Sequence, residues 1–141
     1  MTEEETRIRI QENAKLAVKE LGPLSGLGDR FGYNLESIEW VEGYIERLRK
    51  NPDFGRDPKS TLISVFGSYL GECVVRIYGG EWRFYQEDGW GVLLSEGNVA
   101  FPFSKVQKLF RNGLEGGDSI LNFVTIIGHF QKEGWPSGKK K

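Results

Sequence analysis

The sequence holds few side chains that could carry chemistry. Outside its carboxylates it has a single histidine, His129, and a single cysteine, Cys73. Metal-assisted reactions draw on His, Cys and carboxylates at defined spacing, and no such spacing occurs, so the chain implies neither a metal nor any other cofactor. A Ser-His-Asp triad would have to recruit His129. No nucleophile-elbow motif precedes it, and a lone histidine near the end of a helical segment reads as a capping residue. No Walker phosphate loop is present, and Gly26-Leu27-Gly28 lacks the preceding strand and following glycine of a dinucleotide fingerprint. Glu81 and Glu87 are conceivable as a carboxylate pair for glycosidic chemistry, although sequence does not set their separation. The balance favours a non-catalytic protein, with an enzyme of unknown class as a remaining alternative.

Residues suited to binding are more prominent. Trp82, Phe84, Tyr85 and Trp90 fall within nine residues, with Arg83 among them. Strand alternation sends Trp82 and Phe84 to one face, expected to be core, and Arg83 and Tyr85 to the other. Trp, Tyr and Arg are enriched at binding hot spots, so Arg83, Tyr85 and Trp90 are candidate contacts for another protein. The competing reading places all four aromatics in the core. Glu72 is a fourth candidate, because it follows Gly71 on an otherwise apolar helix, where an unpaired carboxylate is costly. The plainer reading pairs it with Arg76 at i, i+4 or with the loop after Gly79. Arg83, Phe84 and Tyr85 also imitate a stacking surface for nucleic acid, helped by Lys139-Lys140-Lys141. Glu81, Glu87 and Asp88 crowd the same hairpin, and the net charge is -1, so nucleic acid is disfavoured.

The elements that position these residues follow from periodicity. Residues 6–21 repeat apolar side chains at helical spacing up to Gly22-Pro23, which should stop the helix. A Gly-rich loop follows to residue 33, so the first helix could be a mobile arm. Asn34 is a good N-cap for a second helix carrying Leu35, Ile38, Val41, Ile45 and Leu48 on one face. Asp57-Pro58 reads as the start of a third, central helix reaching about Tyr78. Along it Ser60, Ser64, Gly67, Ser68 and Gly71 form a small-residue stripe, which suggests that the second or the fifth helix crosses closely. Gly79-Gly80 ends it. Alternation then gives strands near residues 82–85, 90–94 and 99–101, joined through Glu87-Asp88-Gly89 and Ser95-Glu96-Gly97-Asn98. Ser104 to Gln107 matches a capping box for a fourth helix, and Asp118 is the expected cap of a fifth.

The fold class expected is α+β, with helices packed on a short three-stranded antiparallel sheet in the order α-α-α-β-β-β-α-α. We divide the chain into an arm and loop (1–33), one α+β domain (34–133) and a disordered tail (134–141). The length of 141 residues, 38% hydrophobic and 28% charged, suits one core. An acidic N-terminus and the lack of a long apolar run predict no membrane span, and with a single cysteine this points to the cytoplasm.

Tyr69-Leu70-Gly71-Glu72, then Gly79-Gly80-Glu81-Trp82, then Phe101-Pro102-Phe103 and Val106 resemble an uncharacterised bacterial family with a Y/F-L-G-E helix running into G-G-x-W. The resemblance covers about residues 62–130. It implies a small bacterial cytosolic protein and carries no activity across. The leading expectation is a protein-binding module, acting by occluding its partner as immunity proteins do. A small-ligand pocket between the sheet and the central helix is the alternative.

Overall fold

A computed structural model describes residues 1–54 and 60–136. Its order is α1 (Glu3–Ser25), a 3₁₀ turn (Gly28–Arg30), α2 (Leu35–Lys50), α3 (Ser60–Tyr78), β1 (Glu81–Tyr85), β2 (Gly89–Ser95), β3 (Asn98–Ala100), α4 (Pro102–Asn112) and α5 (Ile120–Glu133). The α+β class and the element order are those expected from sequence. The expected helix start at Asp57-Pro58 and the lysines at 139–141 lie outside the described residues.

Helix α1 is longer than expected at both ends. Thr2 and Glu5 form a reciprocal capping box: the Glu5 amide donates to Thr2 Oγ1 and the Thr2 amide to Glu5 Oε1. Gly22-Pro23 does not end the helix, which continues to Ser25 and closes at Gly26 in the left-handed region. Pro23 sits in the last turn and lacks the N–H that would bond the Lys19 carbonyl, yet the helix runs past it. The Ser25 hydroxyl donates to Gly22 O at 2.7 Å, supplying one terminal carbonyl. The helix is docked rather than free, with Ile10, Ala14, Ala17 and Leu21 buried where it packs along α3.

Asn34 caps α2 as expected, accepting from the Ser37 amide at 2.8 Å. Two other caps differ from expectation. Helix α4 starts at Pro102, whose fixed φ suits the first helical turn, so Ser104 lies inside it and caps nothing. Ser119, not Asp118, caps α5, accepting from the Asn122 amide at 2.9 Å.

The sheet is a meander in the order β1-β2-β3, antiparallel throughout. Gly89 at φ +83° and Gly97 at φ +80° supply the two turns. Trp82 pairs with Val92, and Val92 with Ala100, so one buried row crosses the three strands. That row rests on α3 and α4. The core continues through Leu70, Val74, Val106, Leu109 and Phe110 to Ile38 and Ile45 of α2.

The small-residue stripe on α3 is a close approach, but to different neighbours from those expected. At Gly67 a Cβ would overlap the Phe103 ring, and at Gly71 the Trp82 ring, with Pro102 Cγ at 3.0 Å. It is α4 and the first strand that press on this face, not α2 or α5. A side chain there would hold the sheet off the helix, which explains two glycines at positions costing about 1 kcal/mol each relative to Ala.

Candidate functional site

Trp82 is the first residue of the hairpin to be fixed. Its ring covers Gly71, and its indole N–H donates to Glu72 Oε2 at 2.9 Å. The other carboxylate oxygen, Oε1, accepts from Arg76 Nε at 3.1 Å, and the Arg76 guanidinium lies 4.2 Å from the centre of the Tyr33 ring. Glu72 is buried with both oxygens engaged. It therefore anchors the strand to the helix, and its carboxylate is turned away from any partner. Tyr69 completes the same turn of α3 by donating its hydroxyl to Gly32 O at 2.6 Å, which ties down the loop ahead of α2.

Phe84 is not core. It is 47% exposed although it shares a face with Trp82. Two residues along a strand move the chain by about 6.7 Å, enough to carry Phe84 past the glycines on which Trp82 rests. It stands opposite Trp90 in the register, and the two rings are 5.8 Å apart. Arg7 of α1 reaches over the far side, its guanidinium 5.9 Å from the Trp90 ring and 3.0 Å from Glu4. Trp90 is half-buried between them. Sequence reading missed Arg7 altogether, since only the docking of α1 brings it to the hairpin. For Phe84 the alternation was legible, but the length of the helical cover was not.

The opposite sheet face holds Arg83 and Tyr85. Arg83 is exposed and bonded to Glu81 at 2.7 Å, while Tyr85 stands edge-on to Phe101 at 5.9 Å. Phe101 and Val99 fold over Gly91, where a Cβ would come within 2.8 Å and 2.7 Å of them. Arg83 is thus exposed, whereas Tyr85 is half-buried beside Phe101. They make local contacts with their own sheet and do not join Trp90, which belongs to the other face.

No family model, curated protein or solved structure matches the chain. Function must be argued from the residues themselves.

Glu42 and Arg49, both buried, are used by the scaffold. Glu42 accepts from the Ser119 hydroxyl at 2.6 Å and from the Leu121 amide at 3.1 Å, placing a carboxylate at the positive end of α5. Arg49 donates to the carbonyls of Phe110 and Arg111 at the C-terminal end of α4. Burial pushes the Cys73 thiol up to about 12, so it stays protonated and unreactive near neutral pH. His129 is exposed on α5 with its ring against Phe130. Among the described residues no three His, Cys, Asp or Glu side chains gather as metal ligands, and no helix is long and apolar enough to cross a membrane.

Two pockets remain. One of about 310 Å³ lies among α1, α2 and α3, between Leu16, Tyr44, Leu62 and Phe66. The other, about 260 Å³, opens between the sheet edge, the start of α4 and α5. The space between sheet and α3, where sequence reading places a ligand pocket, is filled by Trp82 and Phe103, whose rings are 5.8 Å apart.

Proposed function

We propose that the protein is a non-catalytic protein-binding module that contacts its partner through the Phe84–Trp90 end of the hairpin. The observation carrying this reading is the exposure of Phe84 beside Trp90 and Arg7 on a rigid two-strand support. Trp and Arg are among the side chains enriched at hot spots, and Phe84 adds exposed apolar area beside them. Arg83 and Tyr85, on the opposite sheet face, lie outside this contact. Glu42, Arg49 and Glu72 are all held in hydrogen bonds within the scaffold, which supports a protein that acts by covering another molecule, in the manner of an inhibitory or immunity-like protein. The motif resemblance supports a bacterial protein, and the buried free thiol suits a reducing cytoplasm.

Affinity capture from the native host, with the wild-type chain and with Phe84→Ser and Arg7→Ala variants, tests this. Both variants should keep a melting temperature within about two degrees of wild type, because surface substitutions stay near 0.5 kcal/mol. Loss of a hot spot should weaken capture by roughly thirtyfold, equivalent to about 2 kcal/mol. If both variants stay folded and retain every wild-type partner, the hairpin end is ordinary surface.

A further inference from the structure

The pocket of about 260 Å³ beside the sheet edge combines apolar walls with one ionised group. Leu94 and Val99 form its sheet side, and Phe123 and Ile127 its α5 side. Trp135 closes one flank. It lies against Phe130 at 5.2 Å with its indole N–H donated to Gln131, so its ring is held as a wall. The two polar side chains in the lining are Lys105 of α4 and Asn122 of α5. An apolar pocket with a few convergent polar groups is the general form of a small-molecule site.

The charge around Lys105 selects the sign of the ligand. Its side chain is 19% exposed and its ammonium lies 3.0 Å from Asp118. Asp118 also accepts from the Asn112 amide at 2.8 Å and feels the charge of Lys108, so one carboxylate faces two ammonium groups. An ammonium has three donors, and Asp118 uses one of those on Lys105. The other two donors of Lys105 are left in the wall of an otherwise apolar space, where a charged hydrogen bond to an anion is stronger than in open water.

We propose that this pocket binds a small amphiphilic carboxylate, its apolar tail between Phe123, Ile127 and Trp135 and its carboxylate on Lys105 Nζ. The site is separate from the hairpin end and does not depend on the protein-binding reading. Calorimetric titration with octanoate, decanoate, decanol and decylammonium tests it on the full chain. Decanoate should saturate at one site and bind more tightly than octanoate, by about fourfold for each added methylene. It should also exceed decylammonium by at least tenfold. Lys105→Met should weaken decanoate about tenfold and leave decanol unchanged. Because that variant also loses the Asp118 pair, a second one is needed: Ile126→Trp, at a 41% exposed position in the lining, fills the space without entering the core. It should abolish decanoate and decanol binding while the melting temperature holds. Equal or tighter binding of decylammonium, non-saturable uptake, association with anionic phosphatidylglycerol vesicles but not with free decanoate, or full binding by a folded Ile126→Trp variant would each overturn the proposal.

Discussion

Gly71→Ala isolates the contact on which the domain's two layers meet. Alanine is better than glycine in a helix by about 1 kcal/mol, so propensity alone predicts a more stable protein. The structure predicts the reverse. A Cβ at residue 71 overlaps the Trp82 ring and comes to 3.0 Å from Pro102 Cγ. Helix α3 cannot retreat, because its far side is packed on α1, so the ring must move. Moving it breaks the bond from the indole to Glu72, which at 2.9 Å satisfies two buried groups at once. Overpacking costs about 1 to 3 kcal/mol and stranding the pair about 1 to 3 kcal/mol more. After the propensity gain, the net loss is about 1 to 5 kcal/mol, and at about 3 °C per kcal/mol for a chain of this size the melting temperature falls several degrees. Gly43→Ala in α2 is the control, since a Cβ there meets only Arg47 Nη1 at an ordinary 3.5 Å and the variant should gain up to about 1 kcal/mol. Urea denaturation followed by tryptophan fluorescence measures both. A Gly71→Ala protein as stable as Gly43→Ala would refute the close approach.

Glu72→Ala should cost about 1 to 3 kcal/mol by leaving the Trp82 N–H buried without an acceptor, whereas Glu72→Gln retains a carbonyl oxygen and should cost less; equal losses by chemical denaturation would show that the bond is not what matters. The Asn112 amide and the Lys105 ammonium hold the Asp118 carboxyl below its ordinary value of 3.8. Its stabilising contribution is therefore complete above about pH 4 and is lost as pH falls through the lowered folded value. Asp118→Asn should flatten that part of the stability profile, and an unchanged acid limb below pH 4 in the variant would refute the assignment.

Much of the architecture was legible because local and tertiary signals agree. Asn34 is a cap in isolation and in place, and the glycines at 89 and 97 stand where the alternating pattern breaks. The misreadings of Pro23 and Phe84 share one physical origin, that tertiary packing and not the local pattern decided them. Pro23 looked like a terminator, yet Leu21 is buried and Gly22 lies against the Phe31 ring, so packing keeps the chain helical through one more turn. Phe84 looked like core because alternation reports which face a side chain takes and not where the covering helix ends. The thiol of Cys73, by contrast, gave no misleading promise of chemistry, and burial keeps it neutral.

The segment that made the sequence recognisable now has a mechanical meaning. Tyr69 holds the loop before α2, Gly71 admits the Trp82 ring, Glu72 binds its indole, and Gly79, at φ +82°, turns the chain so that Trp82 returns onto the helix it just left. Gly71, Glu72 and Gly79 together fasten a strand to a helix. Arg7, Phe84 and Lys105 take no part in that junction; in the readings proposed above, the first two serve a protein contact at the hairpin end and the third an anion beside α5. Discrimination between partners should therefore reside in these positions, because they can change without loosening the Trp82 junction.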